Sequence, residues 1–276
     1  MKEDVLGGEE LGKAARAKKL IQHCIATGSI DALVDAIVVR KGDSADPRIL
    51  HISSAYLPFG VPVKSFAGEF ESGLIIAEGG TSIVVSATRK GDDAAYVARF
   101  LRPEVSQYRR GVERFLAYLR AVKSRAPHGV AGVISCGYVG DGIPYVVTRR
   151  AQGVPLGALS KKGSLDFDTI AKVLLGLCGT LIEMHAAGLA HGAMKPSRVF
   201  VDLEGDGPSV TLLPSGNHLL LHHPVTDIDR SHTGFGAGSV RYVAPEQIRG
   251  ELAGPLTDVY VFGLLAYEMT TGDHVF

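Results

Sequence analysis

The fold of this chain is decided by the stretch LIEMHAAGLAHGAMKPSRVFV, residues 181–201. Its first residues end an apolar stripe spaced by threes and fours, made of Ile170, Val173, Leu174, Leu177, Leu181 and Met184. Such spacing predicts one long helix with a buried face. After it, Val199–Val201 and Val210–Leu213 predict two short strands, separated by the turn signal of residues 204–208. The stretch therefore predicts a helix, a loop and a pair of strands.

The residues before this stretch have a pattern that is typical of a small β-rich unit. Leu74–Ile76 and Ile83–Val85 predict a hairpin around the Gly79-Gly80 turn, and Ala95–Leu101 predicts a third strand. Strands are also expected near 132–138 and 145–149, where they flank the turn of residues 140–142. Between the third and fourth strands, one amphipathic helix is predicted from Val105, Tyr108, Val112, Phe115, Leu116, Leu119 and Val122.

The two ends of the chain differ from this central part. Residues 258–270 are apolar on nearly every face, which predicts a buried helix that packs on the stripe, with Phe262 and Leu265 between them. Residues 1–65 predict two short helices and a proline-punctuated stretch. They are interpreted as a helical extension packed on the main domain, and an independent recognition module is the alternative.

Composition excludes several classes of protein. Lys plus Arg and Asp plus Glu both number 29, so a broad surface for nucleic acid is not expected. Three distant cysteines indicate neither a disulfide scaffold nor a zinc knuckle and favour a reducing compartment. The longest apolar run, residues 259–269, is too short for a membrane span of about 20 residues. With no signal peptide at Met1, a cytoplasmic location is predicted.

Four stretches in order carry a family resemblance. They are residues 181–191 with Lys195-Pro196, residues 238–247, which contain Ala244-Pro245-Glu246, residues 258–263 and residues 267–272. Together they resemble Hanks-type serine/threonine protein kinases over about residues 72–276, most closely the bacterial members. The resemblance implies an α+β, bilobal protein-kinase-like fold with a five-stranded N-lobe, one N-lobe helix and a mainly helical C-lobe. The expected domains are an extension, 1–65, and a kinase-like domain, 66–276, with lobes at about 66–150 and 151–276.

Positions that carry chemistry in this family hold other residues here. The catalytic-loop HRD motif corresponds to His191-Gly192-Ala193, the asparagine that follows it to Arg198, and the DFG motif to Pro214-Ser215-Gly216. In the family those positions supply the base and the magnesium ligands. The prediction drawn from the resemblance is that the chain is not an enzyme. It is expected to be a pseudokinase, which serves signalling as a scaffold or allosteric regulator through protein–protein interaction.

Other family positions are retained and are expected to be structural. These are His191, Ala244, Pro245, Glu246, Asp258 and Gly263, which orient loops or hold the large lobe together in the family. In the family, further helices and an arginine that pairs with the glutamate follow the last helix. The resemblance therefore implies a truncated C-lobe, in which the far side of residues 259–269 would be an exposed apolar patch. A protein partner or self-association on that lobe is expected to cover this patch. Covering by the extension, 1–65, is the alternative.

The former ATP cleft is the candidate ligand site. Arg99 stands at the position of the strand lysine, and Lys195 and Arg198 are expected nearby. They could take metal-free ATP or another anion, because guanidinium groups suit phosphate. Two alternatives stay open. The three cations pair with Glu113 and with loop carboxylates instead of a ligand, or Glu113 lies on a solvated face of its helix. The complete candidate set is Gly79, Gly80, Val84, Arg99, Glu113, Lys195 and Arg198, and no metal site is predicted. An atypical phosphotransferase and a sensor of a small anion are the alternative functions.

Residues 214–246 are predicted to be irregular. Gly192 replaces the arginine that clamps a phosphate on the activation loop in many kinases, so switching at Ser231 or Thr233 is expected to be weakened. The segment also carries His218, His222, His223, His232, Asp227 and Asp229. A solvated or pH-sensitive loop is favoured there over a metal site.

Overall fold

A computed structural model describes residues 66–140, 142–159, 165–220 and 240–276. The chain divides after Tyr56 into two units, and all described residues belong to the second. The predicted extension, residues 1–65, and the candidate loop residues 222–233 lie outside the described ranges. The domain boundary at 65 therefore stays a prediction.

The first half of the described chain forms one antiparallel sheet of five strands. The strands are β1 (Phe70–Glu78), β2 (Ser82–Arg89), β3 (Asp92–Leu101), β4 (Val133–Val139) and β5 (Ile143–Arg149), in the order β1-β2-β3-β5-β4. Alternate side chains of these strands pack into a small core that holds Phe70, Ile83, Tyr96, Phe100, Tyr145 and Val147. The predicted five-stranded lobe is confirmed, with each strand within a few residues of its expected place.

The single helix predicted across residues 105–122 is wrong in one respect, because it consists of two pieces. A four-residue helix, α1 (Pro103–Ser106), ends before Tyr108, and α2 (Arg109–Arg125) starts after it. Pro103 begins α1, and Tyr108 takes non-helical torsion angles at the start of α2. Tyr108 is consequently exposed, whereas the other predicted residues of the stripe are buried.

The second half is mainly helical. It contains β6 (Val154–Pro155), α3 (Phe167–Ala186), β7 (Val199–Asp202), β8 (Ser209–Leu212), α4 (Pro245–Ile248) and α5 (Pro255–Thr271). Asp166 caps α3 by accepting a hydrogen bond from the Thr169 amide at 2.7 Å. β6, β7 and β8 form a small sheet, in which the two-residue β6 was not predicted.

The apolar stripe on α3 packs against α5 as expected. Ile170, Leu177, Leu181, Met184 and Leu265 are buried in the main core, while Leu174 and Phe262 are only partly buried against it. The helix α5 is buried on one side only, because Leu256, Val259 and Tyr267 are exposed. No helix among the described residues is long and apolar enough to cross a membrane.

Candidate functional site

Arg99 is held by backbone and amide oxygens at the centre of the N-lobe sheet. It lies on β3 opposite Val84 of β2, and its two terminal nitrogens donate to the carbonyl oxygen of Ser215 at 2.7 Å and to Oδ1 of Asn217 at 3.1 Å. The guanidinium carbon lies 5.1 Å from the centre of the Phe115 ring. The cation of β3 is therefore attached to the segment at the DFG position.

The proposed pairing of Arg99 with Glu113 is not formed. Glu113 is exposed on α2 and accepts a hydrogen bond from the Tyr138 hydroxyl at 2.7 Å. The phase of α2 explains this result, because Phe115 rather than Glu113 faces the cleft. Of the two alternatives left open by the sequence, the solvated face is the one observed.

Arg198, in the C-lobe, lies close enough to Arg99 for its charge to act on that residue. It donates a hydrogen bond to the carbonyl oxygen of Ala193 at 3.3 Å. Burial lowers the pKa of Arg99 to about 9, with a further contribution from the charge of Arg198, and burial lowers the pKa of Arg198 to about 10. Burial and the Arg198 charge also lower the pKa of Lys195 to about 8. The three predicted cations therefore share one positive environment.

No carboxylate among residues 66–140, 142–159, 165–220 and 240–276 forms an ion pair with Arg99 or Arg198. Both arginines are half-buried, so water compensates their charges only in part. Their neutral oxygen partners stabilise a cation less than a carboxylate does. The described part of the cleft thus carries a local excess of positive charge, although the whole sequence is neutral.

The segment at the DFG position also reaches the glycine-rich turn between β1 and β2. The Asn217 amide nitrogen donates to the Thr81 hydroxyl at 3.1 Å, and the Asn217 backbone amide donates to the Ser215 hydroxyl at 3.2 Å. Thr81 follows Gly79-Gly80 and is buried. Neither Asn217 nor Thr81 was predicted as a site residue, because each is an ordinary polar residue that only the three-dimensional structure brings to Arg99.

Glycines allow this segment to approach α2 closely. Gly216 has a φ of +64°, and a Cβ there would lie 2.9 Å from the Phe115 ring and 3.1 Å from the Tyr118 ring. On the helix, a Cβ at Gly111 would lie 3.1 Å from the carbonyl oxygen of Leu219. The position of Asn217 is therefore fixed by backbone packing on both sides.

The retained family positions form a separate network around Asp258, the buried carboxylate of α5. It accepts hydrogen bonds from the backbone amides of His191 and Gly192, both at 2.8 Å, and from Nε2 of His185 at 2.9 Å. His191 donates from its own Nε2 to the carbonyl oxygen of Leu213 at 2.9 Å. Burial lowers the pKa of His191 to about 4, so this ring is neutral at pH 7.

Three other retained positions lie at the start of the helix α4. Pro245 begins α4, Ala244 is buried before it, and Glu246 accepts a hydrogen bond from the Thr257 hydroxyl at 2.6 Å. Glu246 therefore has a partner within the chain, which the sequence did not predict. Gly263 is exposed on α5, and no atom of the described residues outside its own helix backbone lies within 4 Å of the position that a Cβ would take. No close contact in this part of the chain explains a structural role for this glycine.

The residues at the magnesium positions do not suit magnesium. Hard divalent cations take oxygen ligands, usually carboxylates, and the two positions hold Arg198 and Pro214. Among the described residues, no group of three His, Cys, Asp or Glu side chains could hold a metal ion.

Comparisons with known proteins give the same architecture. A family model described as the protein kinase domain matches residues 70–276. Serine/threonine-protein kinase Pkn1 of Myxococcus xanthus is 29% identical over 250 residues, which cover 90% of this chain and 34% of Pkn1. Serine/threonine-protein kinase PknA of Mycobacterium tuberculosis is 29% identical over 217 residues, which cover 77% of this chain and 49% of PknA. The chain thus spans less than half the length of these relatives.

Solved structures show the same fold. The crystal structure of the Mycobacterium tuberculosis PknI kinase domain, in a form with one cysteine replaced by alanine, matches with a TM-score of 0.58 at 19% sequence identity. The match covers 80% of this chain and 79% of that one. The bilobal, mixed α and β architecture expected from the resemblance is confirmed.

The names of the relatives contradict one prediction. Pkn1, PknA and a probable serine/threonine-protein kinase of Corynebacterium efficiens, 27% identical over 210 residues, are all named as kinases. These names point to an enzyme, so the prediction that the chain is not an enzyme is wrong. The sequence nevertheless has Ala193, Arg198 and Pro214 where the family has the HRD aspartate, the catalytic-loop asparagine and the DFG aspartate.

Proposed function

This chain belongs to the protein kinase family, and from that premise we propose that it is a signalling domain whose cleft binds a phosphate-bearing ligand on Arg99 and Arg198. The ligand class is a nucleoside triphosphate or another polyphosphate, bound without magnesium. Occupancy of the cleft regulates the domain's interaction with a protein partner or with a second copy. The cytoplasmic location also stays a proposal.

One observation carries this function: two half-buried guanidinium groups lie close together with no carboxylate partner among the described residues. Removing a cation from water costs free energy unless an anion compensates it. A phosphate offers paired oxygens to the planar donor fork of arginine. Burial first and the charge of Arg198 second lower the pKa of Arg99, and the negative charge of a phosphate would offset both. An oxyanion is therefore the ligand that this charge distribution favours.

Surrounding residues suit the same ligand. Lys195 adds a third cation, and Val84 lies directly opposite Arg99 in the sheet register. Gly79 and Gly80 form the turn above β2, where small residues let backbone approach a phosphate. With arginine and proline at the metal positions, the cations replace the charge that magnesium would supply.

Exposed apolar side chains of the C-lobe support the partner half of the proposal. Leu256 is 80% exposed, Leu252 is 78% exposed, and Val259 lies one turn of α5 after Leu256. Exposed apolar clusters of this kind are typical of interaction surfaces. The partner is expected to contact this face of the C-lobe.

A second candidate is an atypical phosphotransferase, which is favoured by the relatives' names as serine/threonine kinases. Here Arg99, Arg198 and Lys195 would hold a nucleotide in an altered position. The test is incubation of the pure protein with radiolabelled ATP and generic protein substrates, with magnesium and with EDTA. Label that disappears in Lys195→Ala supports this candidate, and label unchanged in that variant assigns it to a contaminant.

The ligand proposal is tested by calorimetric titration of ATP in EDTA and in magnesium. We expect binding in EDTA that is weakened at least about tenfold in Arg99→Met and Arg198→Met, because each removes charge-assisted hydrogen bonds. Arg110→Met, on the exposed face of α2, is the charge-matched control and should bind like the wild type. Binding that requires magnesium, or equal affinity in all four proteins, would refute the proposal.

A further inference from the structure

Asn217 connects three segments that meet at the cleft. Its amide oxygen accepts from Arg99 on β3, and its amide nitrogen donates to Thr81 in the glycine-rich turn, each over 3.1 Å. Its backbone is fixed by the Ser215 hydroxyl at 3.2 Å and begins the short helix Asn217–Leu219. One side chain therefore ties the turn to the sheet cation and to the segment at the DFG position.

The two oxygens on Arg99 each take one N–H of a terminal nitrogen, on the part of the guanidinium group that can hold an oxyanion with both of these nitrogens. Ser215 offers a carbonyl oxygen to one terminal nitrogen, and Asn217 offers an amide oxygen to the other. Both acceptors are neutral, so they satisfy the hydrogen bonds of Arg99 without compensating its charge. A phosphate that binds to both terminal nitrogens therefore competes with Asn217 for the guanidinium group.

The glycine-rich turn is held by the same contact. Thr81 is buried, its carbonyl oxygen accepts from the Arg102 amide at 2.9 Å, and its hydroxyl accepts from Asn217. Since Gly79 and Gly80 precede Thr81, the turn depends on such contacts rather than on its own side chains for its position. The Asn217–Thr81 hydrogen bond thus joins this turn to the segment at the DFG position, and Arg102 holds its other end by donating from Nε to the Gly79 carbonyl oxygen at 2.7 Å.

We propose that Asn217 is a built-in competitor of the ligand, an autoinhibitory latch that must leave Arg99 and release Thr81 before a phosphate binds. The inference rests on the proposed function, because it concerns access to the same arginines. Gly216 packs against α2 and fixes the backbone of the latch, so the amide side chain is the part that rotates away. Binding and release of the glycine-rich turn are therefore coupled.

The first arm of the test measures the affinity for inorganic tripolyphosphate in EDTA by calorimetric titration. Asn217→Ala removes the competitor and should tighten binding about tenfold, as expected for the loss of about two hydrogen bonds that compete with the ligand. Asn217→Asp presents a carboxylate to Arg99 and should weaken binding by a similar factor. Ser86→Ala is the control, because it loses a comparable hydrogen bond, to the Leu74 amide at 2.8 Å, without contacting Arg99.

The second arm measures hydrogen exchange of the amides of residues 79–82 without ligand. Asn217→Ala should increase their exchange, and Ser86→Ala should not. If Asn217→Ala folds poorly by thermal melting, Asn217→Ser replaces it, because the shorter hydroxyl cannot make both contacts. Tripolyphosphate binding to the wild type should increase exchange at the same four amides.

The outcomes separate the latch from the function on which it rests. If neither the wild type nor folded Asn217→Ala binds tripolyphosphate, the cation site itself is refuted. If the wild type binds and Asn217→Ala binds equally or more weakly, the latch alone is refuted. Unchanged exchange at residues 79–82 in Asn217→Ala also overturns the latch, whatever the affinities.

Discussion

The carboxylate of Asp258 is buried and the guanidinium groups of Arg99 and Arg198 are half-buried, and the two kinds of charge have different partners. Asp258 accepts three hydrogen bonds, two of them from backbone amides and one from the His185 ring. Within the described ranges, Arg99 and Arg198 donate to neutral oxygens. The charge of Asp258 is thus compensated by hydrogen bonds within the fold, whereas the two arginines are the groups on which the proposed ligand would bind.

The difference lies in the partners that each charge has. Two backbone amides of the loop bind the Asp258 carboxylate and fix residues 191–192 on α5. Two neighbouring cations with no counter-charge among the described residues are expected to weaken the folded state and to favour an anionic ligand. The four predictions that follow test this contrast, beginning with the largest effect.

Asp258→Asn should be the most damaging single-atom change. An amide nitrogen in place of one carboxylate oxygen would face N–H donors from His185, His191 or Gly192. We expect a loss of about 3–5 kcal/mol in the free energy of unfolding, measured by urea denaturation. Asp168→Asn, in an exposed pair with Lys172, should cost less than about 1 kcal/mol. Equal losses in the two variants would contradict the role given to Asp258.

Leu177→Ala should test packing without any change of charge. Leu177 is fully buried between α3 and the rest of the main core, so truncation should cost about 2–5 kcal/mol of the free energy of unfolding. Leu175, two residues earlier, is 72% exposed, and Leu175→Ala should change stability by less than about 0.5 kcal/mol. A denaturation midpoint unchanged in Leu177→Ala would disprove the assigned core.

Lowering the pH should weaken the Asp258 region through His191. Its pKa is lowered by burial from 6.5 to about 4, so the unfolded chain binds a proton more readily than the folded one between these values. Stability is therefore complete above about pH 6.5 and falls towards pH 4. Between pH 7 and pH 5, this one histidine should account for about 1–2 kcal/mol.

The measurement is the free energy of unfolding at the two pH values in His191→Gln, with the exposed His128→Gln as control. His191→Gln should reduce the change in the free energy of unfolding between the two pH values but not abolish it. His218 also has a pKa lowered to about 4 by burial, so it contributes in the same pH range. A dependence that stays as steep as in the wild type would contradict the assignment.

Arg198→Met should have the smallest effect on stability, and that result would be informative. Methionine keeps much of the side-chain volume and removes a cation that no described carboxylate compensates. We expect the free energy of unfolding to stay within about 1 kcal/mol of the wild type or to rise. A loss above about 2 kcal/mol would show that Arg198 has an anionic partner in the fold, which would remove the basis of the ligand proposal.

The sequence predicted the strands of the small lobe and the two long helices because each is long enough for its period to show. The break at Tyr108 escaped prediction, since the residue continues the apolar spacing while its backbone leaves the helix. Glu113 was placed by analogy with the family, and the phase of α2 points Phe115 inward instead. Asn217 and Thr81 are 136 residues apart, and no local pattern connects them.

Gly192 limits which residues its position accepts. The residue has a φ of +64°, and a Cβ there would lie 2.6 Å from Nδ1 of His218. The arginine that the family carries at this position would therefore meet both backbone strain and a collision with the imidazole ring. The single change Gly192→Arg is expected to be tolerated only when a smaller residue stands at 218. Positions 192 and 218 are thus expected to depend on each other in any engineered return to the family motif.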